Sequence, residues 1–232
     1  MCFSAVASYS AAAALIPVGV ASITVAAQKK QYSWIPVAAM PLLFGIQQFI
    51  EGKVWNGMDS GDADSAKLWA LGFLFFSHAL WPAYSPFMVW KLEKNEVRKK
   101  ILLAIVFLGA FLGAVSYIPF VFQPERYIPT VINCRLDYAT SVVLGQLPTR
   151  GIYLIVVLGC FFVSSLKTIR RYGTMVAVSI VMTFAFWKFA FVSVWCFWAA
   201  LVSSYLLYVL YKLPSLAQPK EVLPDNSPID SI

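Results

Sequence analysis

Residues 3–27 run for about 25 positions without a single charged side chain. That is more than the roughly 20 apolar residues a helix needs to cross a hydrocarbon layer at 1.5 Å per residue. The pattern recurs along the chain. Seven stretches reach or approach that length: about Phe3–Ala27, Trp34–Trp55, Leu68–Trp90, Ile101–Phe122, Gly151–Leu166, Tyr172–Trp187 and Phe189–Tyr211. The last two are separated by almost nothing, which predicts a tight helical hairpin. A single helix over 175–211 would be roughly 55 Å long, too long for one crossing. The expected fold is therefore all-α, a polytopic integral membrane bundle of seven transmembrane helices, with six as the alternative count. Composition agrees: 60% of the 232 residues are hydrophobic and 12% charged, against about half and a quarter in a soluble domain. That excludes a water-soluble globule, a disordered chain and a disulfide scaffold.

The charges give an orientation. Twelve of the 18 basic residues fall on one side: Lys29 and Lys30; Lys91, Lys94, Arg98, Lys99 and Lys100; Lys167, Arg170 and Arg171; Lys212 and Lys220. The positive-inside rule then places the N-terminus outside and the C-terminus in the cytoplasm. The net charge of +7 resides on that inner side, where the expected partner is a bilayer with anionic headgroups and not nucleic acid. The basic pair Lys29-Lys30 follows the first apolar run instead of preceding it, so that run reads as an anchor and not as a cleaved signal. Residues 1–213 form one expected bundle and 214–232 a disordered cytoplasmic tail. Asn56–Lys67 reads as a solvated outer loop. The longer connection Gln123–Arg150 has room for a small hairpin or surface helix over Tyr127–Leu144, and loops of that length often cover something. Pro82 and Pro86 predict a bend in the third span.

Polar groups inside spans are costly and mark candidate sites. Gln47, Glu51 and Trp55 are four apart and share one face of span two, and that face should turn toward the bundle. Glu51 lies roughly 24 Å above the inner rim. It is either a charged or protonatable group at the base of an outer pocket or an interfacial carboxylate that reaches water or pairs with Lys53 or Lys188. His78, near the midplane, reads best as a neutral imidazole bonded to a carbonyl that Pro82 frees. Lys188 ends span six near the level of Glu51; its place at a helix end speaks against a retinal-type Schiff base. Of the four cysteines, Cys160 reads as packing. Cys2 and Cys134 could be bridged on an oxidising outer side. Cys2 or Cys196, near Lys188, could instead carry thiol chemistry. The sequence contains no C-x-x-C, H-E-x-x-H, G-x-S-x-G or G-x-G-x-x-G, so no metal site and no cofactor is expected. Aromatic residues from Phe184 to Trp198 surround the hairpin of spans six and seven and form either an interfacial belt or the wall of a ligand pocket.

Four blocks, Met1-Cys-Phe-Ser-Ala-Val-Ala-Ser8, Pro41-Leu-Leu-Phe-Gly-Ile-Gln-Gln-Phe-Ile-Glu-Gly-Lys-Val-Trp55, Trp81-Pro-Ala-Tyr-Ser-Pro86 and Ser193-Val-Trp-Cys-Phe197, resemble an uncharacterised family of bacterial multi-span membrane proteins catalogued as a domain of unknown function. The resemblance implies a polytopic architecture in a bacterial inner membrane and carries over no activity. It includes Cys2, Gln47, Glu51, Trp55, Trp81, Pro82, Trp195 and Cys196, and leaves out His78 and Lys188. The functional expectation is an outward-facing polar, aromatic-walled pocket. Glu51, Gln47, Trp55, Cys2, Lys188, Trp195 and Cys196 would bind a small or lipid-like ligand there for binding or transport. The alternatives are a membrane subunit or scaffold without chemistry, and a thiol-dependent membrane enzyme using Cys2.

Overall fold

The computed structural model describes residues 4–123, 129–131, 136–138, 147–186, 198 and 202–215. Those residues are overwhelmingly helical. Helix α1 spans Ala5–Gln28 and starts on Ser4, whose hydroxyl accepts the Ala7 N–H at 3.2 Å. A 3₁₀ turn (Tyr32–Trp34) and the short α2 (Ile35–Ala38) lead into α3 (Met40–Asp59). At the break between α2 and α3 the Tyr84 hydroxyl donates to the Pro36 carbonyl at 2.8 Å. Next come α4 (Ala63–Leu74), a π-helical turn (Phe75–Leu80), α5 (Trp81–Leu92) and α6 (Glu96–Phe122). The later helices are α7 (Leu147–Val163), α8 (Lys167–Phe186) and α9 (Tyr205–Lys212). Among the described residues three helical stretches are long and apolar enough to cross a membrane, Ala5–Gln28, Tyr32–Asp59 and Glu96–Phe122; Gly151–Val163 is a shorter apolar helix. Leu68–Trp90 is helical throughout, but the π turn divides it.

Glycine sets the closest contacts. A methyl group on Gly19 would lie 2.2 Å from the Leu42 backbone nitrogen, and one on Gly45 would lie 2.8 Å from Ile16, so α1 and α3 pack nearly backbone to backbone. Gly109 and Gly113, one turn apart on α6, do the same for α5 and the π turn. Methyl groups there would fall 1.9 Å from the Pro82 carbonyl oxygen and 2.8 Å from that of Ala79. Small residues four apart are what membrane helices use to approach closely. The carbonyls they meet belong to a stretch whose ordinary ladder is interrupted by Pro82, Pro86 and the wider turn.

One expectation changes here. Asn56–Lys67 is not a loop. Helix α3 continues to Asp59, Gly61 turns the chain at φ +73°, and α4 starts at once because Asp62 accepts the Ser65 N–H at 3.0 Å. The polar composition reflects helix ends and a cap, which a count of polar residues cannot tell from a loop. The long connection after α6 contains an antiparallel pair, Thr130–Val131 with Leu136–Asp137. Leu136 and Tyr138 are buried with Val54, Trp55, Phe73, Leu74 and Phe120. The Tyr138 ring stacks on Phe73 with centroids 4.8 Å apart. Leu136 and Tyr138 therefore cover the end of the bundle where α3 meets α4 and α6. Residues 216–232, most of the expected tail, lie outside the described residues.

The opposite end is tied by charge. Lys29 Nζ donates to the carbonyls of Leu210, Tyr211 and Leu213 at 3.0, 2.6 and 2.7 Å, a cation on the exposed carbonyls that end α9. Glu93 follows α5 and is 3% exposed. Its carboxylate accepts the N–H groups of Lys94, Asn95 and Ser165 and the Ser165 hydroxyl, at 2.7–3.0 Å. Arg98 and Arg170 donate to the carbonyls of Val163, Ser164 and Ser165. The turn between α5 and α6 is thereby joined to the turn between α7 and α8.

Candidate functional site

The polar residues of α3 turn inward. Gln47, Gln48 and Glu51 have no exposed surface and Trp55 has 5%. Periodicity explains why they arrive together: positions 44, 47, 48, 51 and 55 fall on one side of a 3.6-residue helix. On that side Phe44 stacks on Trp81 of α5, with centroids 4.3 Å apart. The Trp81 indole N–H donates to Gln47 Oε1 at 2.9 Å. One turn further, Gln48 Nε2 donates to Glu51 Oε2 at 3.2 Å. Burial removes one of the alternatives for Glu51, the interfacial carboxylate open to water. Lys53, offered as its partner in that reading, lays its ammonium over the rings of Phe49 and Trp69 at 5.7 and 5.9 Å.

Two buried polar atoms on this face have no hydrogen-bond partner: Gln48 Oε1, an acceptor, and Trp55 Nε1, a donor. They lie one turn below and one turn above Glu51. Ser8 Oγ on α1 is a third such atom, with no exposed surface. Ser8 precedes Tyr9, whose ring meets α3 at Gly52 and whose hydroxyl accepts from Asn56 at 2.9 Å. Buried polar atoms are normally satisfied by protein or by ordered water, so a group of them beside a carboxylate has the chemistry of a binding site. On α3 alone the arrangement offers an acceptor, a donor and a carboxylate within about two helical turns.

A second polar group lies in the π turn. His78 is 1% exposed. Its Nδ1 is 2.8 Å from Ser77 Oγ, and its Nε2 has no partner. The expected bond from the imidazole to a carbonyl freed by Pro82 is not formed; Nδ1 meets the adjacent serine hydroxyl instead. The Tyr153 hydroxyl of α7 donates to the Ser77 carbonyl at 2.5 Å. His78 meets the edge of Phe120 at 5.4 Å, and Ser116, one turn before Phe120 on α6, is buried with no partner for its hydroxyl. Single π turns of this kind are frequent at functional sites. Sequence reasoning missed Ser8, Gln48 and Ser116. The serines look like ordinary small helix residues, and Gln48 is masked by the i, i+4 line through Gln47.

Of the seven residues proposed from sequence, α3 brings Gln47, Glu51 and Trp55 to one buried face. Cys2, Lys188, Trp195 and Cys196 lie outside the described residues, as does Cys134, so neither the thiol reading nor a Glu51–Lys188 pair meets a geometric constraint. Cys160 is fully buried, its thiol 3.3 Å from the Val157 carbonyl, as expected of a packing residue. Among the described residues no group of three or more His, Cys, Asp or Glu could hold a metal ion.

The described residues also line a cavity of about 700 Å³ at a different place, between α8 and the segment leading into α9, with Met175, Val178, Met182, Trp198, Val202 and Arg171 among its walls. No curated protein and no solved structure matches the chain. One family model does, over residues 1–221 and hence nearly the whole sequence: the chain belongs to a family of unknown function, DUF6629.

Proposed function

We propose that this is a seven-span membrane protein, N-terminus outside and C-terminus in the cytoplasm, that binds or transports a small or lipid-like solute at Glu51. Gln47, Gln48 and Trp55 complete the α3 wall of the site. Cys2, Lys188, Trp195 and Cys196 converge on it from spans one, six and seven. The observation that carries this reading is the pair of unpartnered buried atoms, Gln48 Oε1 and Trp55 Nε1, flanking a buried carboxylate. An apolar bundle gains nothing from such atoms unless something polar meets them. The orientation is supported by the basic end of the bundle, where Lys29 reaches α9 and Glu93 reaches the turn before α8. Native mass spectrometry of the purified protein tests the site. The wild type should retain a bound small molecule that Glu51→Gln loses while remaining folded; two bare spectra, or two equally loaded ones, overturn the reading.

A second reading is a membrane subunit or scaffold whose polar residues only pack. The Gln47–Trp81 and Gln48–Glu51 bonds favour it. It requires Glu51→Gln to lower thermal stability with no ligand ever seen.

A further inference from the structure

Helix α8 packs on α7, and α9 packs on α1 and α2; the 700 Å³ cavity lies between α8 and the residues leading into α9. Its walls are almost entirely apolar. Along α8 it runs from Arg171 through Met175 and Val178 to Met182, with Trp198, Val202 and Tyr205 opposite. Arg171, Met175, Val178 and Met182 are all exposed side chains, arranged as one stripe at helical spacing.

Two features of this cleft specify an occupant. The first is length. From Arg171 to Met182 is eleven residues, about 16 Å of helix. Half the hydrocarbon thickness of a bilayer is about 15 Å, so the cleft is as deep as one leaflet. The second is charge. Adjacent arginines divide their roles. Arg170 donates to the carbonyls of Ser164 and Ser165 and serves the turn. Among the described residues no hydrogen bond engages Arg171, which stands at the basic end of the cleft. An unengaged guanidinium at headgroup depth, above an apolar channel one leaflet deep, fits a phosphodiester with an acyl chain beneath it.

We propose that the cleft between α8 and the start of α9 binds one anionic glycerophospholipid from the leaflet on the basic face, its phosphate on Arg171 and one acyl chain along Met175, Val178 and Met182. The site is separate from the face around Glu51, and it rests on the membrane-spanning reading given above.

The test uses the full chain in phosphatidylcholine vesicles that carry either phosphatidylglycerol or phosphatidylcholine brominated on its chains. Bromine quenches nearby indoles, and comparison with Trp198→Phe isolates the contribution of Trp198 from the eight tryptophans present. Quenching of Trp198 should need about fivefold less brominated phosphatidylglycerol than brominated phosphatidylcholine. Arg171→Gln should abolish that preference and Arg171→Lys should keep it. The same concentration for both lipids in the wild type, or a preference that survives Arg171→Gln, overturns the site. So does a Trp198 that neither lipid quenches while the other tryptophans respond, because protein then fills the cleft. Quenching at no tryptophan removes the spanning reading itself and this site with it.

Discussion

Glu51 and Glu93 are both carboxylates withdrawn from solvent, 0% and 3% exposed, yet their surroundings differ. Around Glu93 the backbone has been arranged to serve the charge. Three N–H groups and a hydroxyl from two separate turns close on its oxygens, and no neighbouring polar atom is left over among the described residues. Around Glu51 the backbone is ordinary helix with no spare donors. The side chains nearby leave an acceptor and a donor unmatched at Gln48 and Trp55. A saturated carboxylate holds a structure together. One set among unmatched polar atoms is equipped to hold something else.

Substitutions can break that contrast. The largest effect should come from Glu93→Ala, which leaves the N–H groups of Lys94, Asn95 and Ser165 without an acceptor and should cost about 3 kcal/mol in thermal unfolding in detergent. A cost below that of an ordinary surface substitution would remove Glu93 from the comparison. The pH profile follows next. Burial alone would raise the Glu93 pKa, but the hydrogen bonds from Asn95, Ser165 and Lys94 outweigh it and hold the carboxyl below the ordinary value of 4.5. A depressed folded pKa contributes stability that is fully present above 4.5 and is lost as pH falls through the folded value. Unfolding temperature should therefore drop in that acidic window for the wild type, and Glu93→Gln should flatten the drop. Glu51→Gln should be milder in stability, within about 1 kcal/mol, because an amide oxygen can still accept from Gln48, while retained ligand disappears. A loss as large as that of Glu93→Ala would make the two acids equivalent and end the site reading. The smallest effect belongs to Trp55→Phe. It removes an unmatched donor and should leave apparent stability within about 0.5 kcal/mol while weakening ligand retention.

Sequence carried the α3 face because everything needed is local. A carboxylate, an amide and an indole at intervals of four must share a side, and hydrocarbon decides which side that is. Among the described residues it carried the long apolar helices, starting a few residues late at Glu96–Phe122, where the Asn95 cap extends the helix beyond its apolar part. It did not carry Glu93, which reads as one more loop acid among lysines. Its decisive partner, Ser165, is 72 residues away, and nothing near position 93 announces it. Gly109 and Gly113 were equally silent, since their importance lies in the carbonyls of Pro82 and Ala79 across an interface. The cleft by Arg171 has walls from α8 and from Trp198, Val202 and Tyr205, a tertiary property that no single helix encodes.

The π turn at Phe75–Leu80 has a consequence for what this stretch can tolerate. An α-helix advances about 100° per residue, so one residue more or less within that turn would rotate everything after it by more than a quarter revolution. Trp81 would swing away from Gln47, and the Pro82 carbonyl would leave Gly109. The stretch works like the index mark on a screw: its chemistry can drift, but its residue count sets the phase of the crossing that follows.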